Sequence, residues 1–283
     1  MKIFEQTANC TEWVRSLQKK NKSIGFVPTM GALHEGHLSL IKKSIEENDY
    51  TISSIFVNPT QFNDKGDLEK YPRTLQKDCD MLANTGCSAV FCPSVDEMYP
   101  KGKQEHETYN LGGLDNVMEG KHRPGHFNGV AMIIDRLFRV VPANRAYFGK
   151  KDFQQLAIIK HLVKKLGFNI EIIACPTVRE KDGLAMSSRN MLLTPEYRKA
   201  APEIFRALSG SKNYPGIKSV DETKKWVVNE INKNPLLAVE YFEIVNDVDL
   251  QPVASWTETP GITGCIAVHA GDVRLIDNIQ YNS

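Results

Sequence analysis

Through residues 1–176, short apolar runs alternate with segments in which apolar residues recur at helical spacing. The apolar runs predict buried strands at 24–27, 51–57, 89–91, 145–148 and 171–174. Apolar residues at helical spacing predict helices over 10–20, from 37, over 74–85, over 130–140 and from 153. This alternation is typical of an α/β fold in which right-handed crossovers build a parallel sheet.

The pattern changes after residue 176, because helices predicted over 195–208 and 220–234 are followed directly by strands. These strands are predicted over 239–245, 265–269 and 273–276. Helices followed by antiparallel strands favour a smaller α+β domain. The sequence therefore predicts two domains, residues 1–176 and 177–283, and the second is expected to act as a lid.

Two stretches, residues 93–103 and 177–190, lack periodicity and are expected to be irregular. The second is polar and contains Ser187, Ser188 and Arg189. A loop of this length in a compact protein is usually functional or disordered. Serine and arginine together are also common in helix caps, so both interpretations stay open at this point.

Composition excludes several classes of function. The 35 basic and 34 acidic residues nearly cancel, which argues against a general nucleic-acid-binding surface. No apolar stretch could span a bilayer and the N-terminus has no secretory signal, so we expect a cytoplasmic protein without a membrane partner. The six cysteines are scattered without a CxxC pair, and we expect buried, reduced thiols.

The first predicted strand leads into a loop, residues 28–36, that contains two glycines and a histidine, and a second histidine follows it. A strand, a glycine loop and a helix start together offer backbone N–H groups to an anion. His34 and His37 lie three residues apart at this helix start, where an imidazole donates one hydrogen bond when neutral and two when protonated. The alternative is a connecting loop with a helix-capping histidine.

The second predicted strand ends in Asn58-Pro59-Thr60-Gln61-Phe62. Ligands bind at the carboxyl ends of strands in open α/β sheets, so we expect Gln61 to face the same crevice as His34. An exposed loop amide is the alternative for Gln61. Arg123, close to the start of a later helix, is a further candidate for binding a carboxylate or a phosphate.

A second strand, glycine and helix start occurs at Gly149-Lys150-Lys151-Asp152. Asp152 is suited to cap the helix that begins near residue 153. The helix macrodipole disfavours cations at a helix N-terminus, so consecutive lysines there indicate a bound anion. Imidazole, ammonium, guanidinium and amide groups together suit polyphosphate chemistry, which depends on positioning and electrostatic stabilisation. Polyphosphate chemistry normally uses Mg²⁺; Asp78 is a weak candidate ligand, with an exposed helix position as its alternative.

The string HEGH after a strand resembles the HIGH signature of the nucleotidyl-transferring Rossmann-like superfamily. PTMGALHEGH, FVNPTQF, GKKDFQQ and AMSSRN resemble the pantothenate synthetase (pantoate–β-alanine ligase) family along most of the chain. The resemblance implies a Rossmann-like ATP- and pantoate-binding domain and a homodimer. It also implies an ATP- and Mg²⁺-dependent ligase that joins pantoate to β-alanine through an enzyme-bound pantoyl adenylate, releasing AMP and pyrophosphate.

The resemblance also implies roles for individual residues. His34, His37 and Lys151 would be catalytic, and Gln61, Gln155 and Arg123 would bind the substrates. ATP contacts are implied for the matching segments: Met30, Gly31, Ala32, Leu33, His34, Glu35, Gly36, His37, Gly149, Lys150, Lys151, Asp152, Val178, Met186, Ser187, Ser188 and Arg189. Where the family usually has GEKD this chain has GKKD, so Lys150 is included for its place at a helix start and not for a family match.

Three other functions stay open from the sequence. A nucleotidylyltransferase would use the same HIGH-type motif but retain AMP in its product. An aminoacyl-tRNA synthetase would need an RNA-binding basic surface, which the near-neutral charge disfavours. A catalytically silent ATP sensor would keep the binding residues without turnover. Free AMP as a product distinguishes the ligase from these alternatives when no tRNA is present.

Overall fold

The computed structural model describes residues 1–100 and 108–282, which divide into two compact units. The N-terminal unit comprises the described residues of Met1–Gly112, Arg123–Lys150 and Ile158–Pro176. The C-terminal unit comprises Gly113–His122, Lys151–Ala157 and the described residues from Thr177 onward. The last change of unit along the chain falls after residue 176, and two earlier segments group with the C-terminal unit.

The N-terminal unit is built on a six-stranded parallel sheet with the strand order β1-β4-β3-β2-β5-β6. Its strands are β1 (Lys2–Phe4), β2 (Ile24–Thr29), β3 (Tyr50–Ile55), β4 (Ala89–Phe91), β5 (Arg145–Gly149) and β6 (Glu171–Cys175). Central strand residues such as Phe26, Ile52 and Val90 are completely buried, as expected for a parallel sheet covered on both faces. The predicted α/β class is confirmed.

Two details of this sheet differ from the sequence prediction. The edge strand β1 was not predicted, because three residues are too short to show a pattern. Pro28 was assigned to the loop but lies inside β2. The sheet tolerates this proline because pairing between β2 and β5 includes only Gly25 and Phe26, so the missing N–H interrupts no ladder on that side.

Eight α-helices lie between residue 7 and residue 166 of the described chain. They are α1 (Thr7–Gln18), α2 (Glu35–Glu47), α3 (Lys65–Lys70), α4 (Leu75–Thr85), α5 (Val95–Met98), α6 (Met118–His122), α7 (His126–Val140) and α8 (Phe153–Leu166). The short helices α3, α5 and α6 were not predicted, because one or two turns show no periodicity. Helix α5 lies in the stretch 93–103 that was expected to be irregular; residues 101–103 of that stretch lie outside the described part of the chain.

The C-terminal unit contains a three-stranded antiparallel sheet in the order β7-β8-β9. Its strands are β7 (Leu237–Asn246), β8 (Ile262–Ala270) and β9 (Val273–Asn282), and its helices are α9 (Pro195–Ala200), α10 (Glu203–Ser211) and α11 (Val220–Asn232). The single helix predicted over 195–208 is wrong, because it is divided at Pro202, which cannot continue a helical hydrogen-bond ladder. The predicted smaller α+β unit is confirmed.

Candidate active site

The loop after β2 is closed by its own histidines. Helix α2 begins at Glu35, two residues before the predicted start, and His34 is its N-cap. The Gly36 N–H donates to His34 Nδ1 at 3.1 Å, and the His34 N–H donates to His37 Nδ1 at 3.4 Å. The two rings lie 4.0 Å apart between centroids. This reciprocal pair is a capping box in which imidazoles replace the usual hydroxyl and carboxylate.

The capping bonds determine which tautomer each imidazole adopts. Because Nδ1 accepts a hydrogen bond in both His34 and His37, the hydrogen of each neutral ring must lie on Nε2. Each ring therefore presents an Nε2–H donor while its other nitrogen closes the helix. The helix-capping and the donor interpretations of the sequence describe two different nitrogens of the same side chains, and both fit the geometry.

The backbone of this loop does not offer the open row of N–H groups that the sequence predicted. The Gly31 N–H donates to Thr29 Oγ1 at 3.2 Å. The N–H groups of Ala32 and Leu33 donate to the two carboxylate oxygens of Asp78 at 2.9 and 2.8 Å. These amides already have acceptors within the protein, so the part of the prediction that relied on them is wrong.

Asp78 is the residue that the sequence analysis misjudged most. Its side chain is 1% exposed on α4, and Thr74 Oγ1 also lies 3.2 Å from both carboxylate oxygens. The exposed-helix interpretation is therefore wrong, and its oxygens are already committed to donors. Ala32, whose N–H binds Asp78, and the preceding Gly31 have left-handed conformations, with φ of 49° and 81°. For Ala32 such a conformation costs about 1–3 kcal/mol, which the Asp78 hydrogen bonds offset.

Gln61 lies in the short 3₁₀ helix Pro59–Gln61 after β3, and its side chain is buried. The Gln61 Nε2 donates to Met30 Sδ at 3.0 Å, and Gln61 Oε1 accepts from Asn58 Nδ2 at 3.1 Å. The exposed-amide alternative is wrong. Through its contact with Met30, Gln61 lies against the loop that carries His34; a ligand crevice shared with His34 stays a prediction.

Asn58 organises this corner, and the sequence analysis assigned it no role. Its Oδ1 accepts from the Tyr99 hydroxyl at 2.6 Å, and its Nδ2 also donates to the Gly129 carbonyl at 3.1 Å. A Cβ atom at Gly129 would lie 2.3 Å from the Thr60 carbonyl oxygen, so only glycine allows α7 to pack this closely. The signal available in the sequence for Asn58 was its place in a loop directly before Pro59.

Arg123 reaches Gln61 through His126, which is the first residue of α7. The Gln61 carbonyl can only accept, so the 2.7 Å contact to His126 Nδ1 requires the hydrogen on Nδ1. His126 Nε2 then accepts from Arg123 Nη1 at 3.3 Å. This tautomer is opposite to that of His34 and His37. Arg123 therefore lies at the Gln61 corner, where its role in binding a carboxylate stays a prediction.

The two lysines after β5 have different environments. Gly149 ends β5, and the exposed Lys150 follows it with its N–H donating to the Cys175 carbonyl at 2.8 Å. The Lys151 side chain, which belongs to the C-terminal unit, is only 17% exposed, and its Nζ lies 3.7 Å from Asp152 Oδ1. The protein thus shields Lys151 and leaves Lys150 exposed.

The two glutamines at the start of α8 also differ. Gln154 is buried: its Nε2 donates to the carbonyls of Leu114 and Val117 at 2.7 and 2.9 Å, and its Oε1 accepts from the Glu119 N–H at 3.0 Å. Gln155 is half-buried on the same helical turn. Only Gln155 was proposed to bind substrate, and the structural use of Gln154 agrees with that choice.

The stretch 177–190, expected to be an irregular loop, is partly a small hairpin. Arg179 and Ala185 form an antiparallel bridge, and the Met186 N–H donates to the Val178 carbonyl at 3.0 Å. The Arg179 guanidinium binds both carboxylate oxygens of Asp277, at 2.6 and 2.9 Å, and lies over the Phe205 ring. A partly buried bidentate pair anchors the hairpin to β9, which the sequence did not predict.

The segment after this hairpin carries the proposed phosphate donors. Ser187 caps the 3₁₀ helix Ser188–Leu192, and its Oγ accepts from the Arg189 N–H at 3.3 Å. The cap interpretation is therefore correct for Ser187, and Ser188 is buried. The phosphate contacts of these residues stay a prediction.

The thiols form no part of this chemistry. All six cysteines lie within the described residues and are free thiols; five are buried as predicted, whereas Cys92 is only partly buried. Burial raises the pKa of the Cys92 thiol to about 12 and that of Cys10 to about 12, so neither is a thiolate near neutral pH. Within residues 1–100 and 108–282, no group of three or more potential ligands could hold a metal ion, and no helix is long and apolar enough to cross a bilayer.

The strand order reverses between β2 and β5, and the histidine loop lies at the carboxyl end of β2, which defines an α/β protein of the Rossmann-like class. The family model for pantoate–β-alanine ligase matches residues 2–280, and the chain belongs to this family of ligases. The family resemblance predicted from the sequence motifs is confirmed.

Relatives match along the whole chain. It is 52% identical to a pantothenate synthetase of Azobacteroides pseudotrichonymphae and 50% identical to one of Porphyromonas gingivalis, covering 99% of this chain in both and 100% and 99% of those proteins. The crystal structure of pantothenate synthetase from Thermus thermophilus has a TM-score of 0.93 at 40% identity and full coverage of both chains. Pantoate–β-alanine ligase from Francisella tularensis, crystallised with β-γ ATP and β-alanine, has a TM-score of 0.83 at 38% identity, covering 99% and 98%.

Proposed function

We propose that the chain is an ATP-dependent ligase that condenses (R)-pantoate with β-alanine to give pantothenate, AMP and pyrophosphate. The observation that carries this proposal is the match to one ligase family over residues 2–280, with relatives at about half identity over nearly the full chain. The arrangement of donors around Met30 and Gln61 supports it independently, because it suits an acid and a polyphosphate.

In the first step, a carboxylate oxygen of pantoate attacks the α-phosphorus of ATP, and the bond to the bridging oxygen of pyrophosphate breaks. The carboxylate is ionised at neutral pH and needs no general base. Negative charge develops on the leaving pyrophosphate. The Nε2–H donors of His34 and His37 and the ammonium of Lys151 would stabilise this charge, which is the kind of preorganised electrostatic catalysis that polyphosphate transfer requires.

In the second step, the neutral amine of β-alanine attacks the acyl carbon of the pantoyl adenylate, and the bond to the AMP oxygen breaks. Gln61 is proposed to hold both the acid and the amine, and Gln155 mainly the acid. Arg123 is proposed to bind a carboxylate at the Gln61 corner. The acyl adenylate is a reactive anhydride, so water must be excluded while it waits for the amine.

ATP contacts are proposed for the segments 30–37, 149–152 and 186–189 and for Val178, as the family match implies. The geometry supports different roles for the backbone N–H groups and the imidazole side chains of the first segment. Backbone N–H groups of Gly31, Ala32 and Leu33 serve the loop itself, so the imidazoles are its phosphate donors. Lys150 is exposed and is proposed to make at most a peripheral contact.

Mg²⁺ is proposed to enter as part of Mg·ATP. No group of potential ligands among the described residues fits a dedicated protein site, and the Asp78 oxygens accept backbone N–H groups. Magnesium commonly keeps several waters and binds through substrate phosphates, which agrees with this arrangement. No step of the mechanism above depends on a protein-bound metal.

The finer expectations from the family resemblance are part of the same proposal. They are a homodimer, a cytoplasmic location and functional domains at 1–176 and 177–283. Sedimentation velocity tests the dimer, cell fractionation tests the location, and limited proteolysis tests the domain limits. A monomer at micromolar concentration would remove the dimer from the proposal without affecting the chemistry.

Pyrophosphate exchange tests the chemistry directly. Labelled pyrophosphate should enter ATP when pantoate and Mg²⁺ are present and β-alanine is absent, and adding β-alanine should release AMP and pantothenate. Gln155→Ala should abolish this exchange, and β-alanine should not rescue it. A nucleotidylyltransferase would exchange only with its own acceptor and release no AMP, and an ATP sensor would not exchange. If wild-type exchange requires β-alanine, the two-step mechanism is wrong.

A further inference from the structure

The C-terminal unit includes two segments that come from the first 176 residues, Gly113–His122 and Lys151–Ala157. The second of them carries Lys151 and Gln155, both assigned to the reaction above. The segment Lys151–Ala157 follows β5 almost directly in the sequence, but it groups with the C-terminal unit. The residues that make those contacts have no role in the chemistry described so far.

Strand β9 presents two different faces, because alternate residues of a strand point to opposite sides. Val273, Leu275 and Ile279 are buried in the core of the C-terminal unit. Arg274 and Asn278 are spaced to lie on the other face, and both bind the inserted segments. This face of β9 is called the anchor face below.

The anchor face holds the residue proposed to act on the phosphates. Asn278 Nδ2 donates to the backbone carbonyl of Lys151 at 2.8 Å, across 127 residues of sequence. This bond fixes the backbone from which the shielded Lys151 side chain extends. A lysine side chain has many rotamers, so a fixed backbone origin limits where its ammonium can lie.

The anchor face also holds the segment 113–122, and this contact supports the first. Arg274 binds both oxygens of Glu119, at 2.7 and 2.6 Å, and Tyr241 donates to Glu119 Oε1 at 2.7 Å. The Glu119 N–H donates to Gln154 Oε1 at 3.0 Å, which connects this segment to the start of α8. Residues 151–157 are thus tied to β9 directly and through Glu119.

We propose that Asn278 is a positioning residue for Lys151, which sets the ammonium where charge develops on the leaving pyrophosphate. This inference rests on the proposed function, because Lys151 matters only if the adenylation step occurs. Asn278 itself touches no reacting atom. It acts by holding one carbonyl, and misplacement of a catalytic group by about 1 Å can cost about 100-fold in rate.

A double-mutant cycle on Asn278 and Lys151 tests this role. Asn278→Ala should lower the rate of pantoate-dependent pyrophosphate exchange about 10- to 100-fold in the wild-type background. In the Lys151→Ala background the same change should have little further effect, because the group it positions is already missing. An equal loss in both backgrounds, or no loss in the wild type, would overturn the proposal.

Gln280→Ala is the matched control, since Gln280 is spaced to share the anchor face, is exposed and donates to Asp247 instead. This control should exchange pyrophosphate like the wild type. Asn278→Asp keeps the side-chain size but removes the donor, so it replaces Asn278→Ala if the alanine variant does not fold.

Hydrogen exchange separates failure of this inference from failure of the proposed function. The amides of residues 152–157 should exchange faster in the Asn278 variants than in wild type or Gln280→Ala, whether or not the protein is active. If wild type lacks pyrophosphate exchange, the function fails and this measurement still tests the anchor. If residues 152–157 exchange at the wild-type rate in the Asn278 variants, the anchor is wrong.

Discussion

The chain contains two strand–loop–helix segments, β2 to α2 and β5 to α8, which look alike in sequence but are stabilised differently. In the first, the helix start is closed locally by His34 and His37, three residues apart, and Asp78 fixes the loop before them. In the second, the backbone at the helix start is held by Asn278, 127 residues away. The two segments share the pattern of glycine, polar loop and helix. The first helix start is closed by residues of its own segment, whereas the second is held by a residue far away in the sequence.

This difference has a physical cause. Imidazole nitrogens can accept the N–H groups at a helix start, so a histidine can cap the backbone with one nitrogen and use the other to bind a ligand. An ammonium has only donors and cannot satisfy those N–H groups. A lysine at a helix start must therefore be positioned by other residues, and in this protein a distant asparagine takes part. Site residues that cannot cap their own helix depend on tertiary contacts.

The largest expected effect concerns the two lysines of the second segment. Lys151→Ala should lower kcat for adenylation on the order of 100- to 1,000-fold, because it removes a shielded charge from the developing pyrophosphate. Lys150→Ala should change kcat less than about threefold, because Lys150 is exposed and its role is peripheral. Steady-state kinetics of both variants decide the point. The reverse ranking would mean that the register of GKKD was assigned wrongly.

In the first segment, capping and donation can be separated. His34→Ala should lower kcat about 100-fold and also destabilise the protein by about 1 kcal/mol, through loss of the cap. His34→Asn should restore stability, because asparagine caps helices well, but not the rate, because the Nε2–H donor is missing. Urea unfolding and pyrophosphate exchange measure the two effects. Full activity in His34→Asn would show that the imidazole is only a cap.

His37→Ala should resemble His34→Ala in rate, since its Nε2–H is the equivalent donor. Its effect on the free energy of unfolding should be smaller, because its capping bond of 3.4 Å is longer than the 3.1 Å bond to His34. An unchanged kcat in folded His37→Ala would remove this residue from the mechanism.

A smaller effect is expected for Asp78, which supports the first segment without touching substrate. Asp78→Asn should reduce the free energy of unfolding by about 1.5–3 kcal/mol, because one buried N–H loses its charged acceptor and faces an amide donor. Asp80→Asn is the matched control: it lies exposed on the same helix and should change stability by less than about 0.5 kcal/mol. Chemical denaturation measures both. Equal effects would contradict the role of Asp78 as the loop's anchor.

The smallest effect concerns the residues that precede strands β3 and β5. Before β3, hydrogen bonds from the N–H and hydroxyl of Ser23, together with Lys22, lower the pKa of Asp49 to about 2. Before β5, the side-chain amide of Asn144 accepts from the Ile24 N–H in the equivalent way, and an amide does not titrate. Because the pKa in the folded state is depressed, the Asp49 contribution is complete above about pH 3.9 and is lost as pH falls toward 2. Asp49→Asn should flatten the fall in Tm over this window. An unchanged slope would contradict the assignment.

Much of the N-terminal sheet could be predicted from sequence, because buried parallel strands are continuous apolar runs. The strand β1 could not, since three residues at an edge carry too little pattern. The candidate site residues inside the quoted motifs were assigned from the register of the family pattern, and their roles stay predictions. Lys151 and Lys150 are indistinguishable by periodicity alone, and so are Gln154 and Gln155; family register separated each pair.

The residues that fix the site were not predicted, and the reason is physical. Asp78 lies on an amphipathic helix, where a carboxylate normally faces water. The neighbouring sequence does not show that it accepts hydrogen bonds from the N–H groups of Ala32 and Leu33. Arg274 and Glu119 are 155 residues apart, so no spacing links them. Residues that bind ligand carry a chemical signature in sequence, whereas residues that hold a backbone carbonyl or amide are visible only once the chain has folded.

The contact between Asn278 and the Lys151 carbonyl also bears on how the protein is made. A ribosome synthesises Lys151 long before Asn278, and domains tend to fold as they emerge. All six strands of the parallel sheet end by Cys175, so that sheet can form on the nascent chain while β9 is still unsynthesised. Until Asn278 has been synthesised, the Lys151 carbonyl cannot form this hydrogen bond. A stalled or truncated chain would then carry the complete parallel sheet without the contact that fixes the backbone of Lys151, the lysine proposed to act in adenylation.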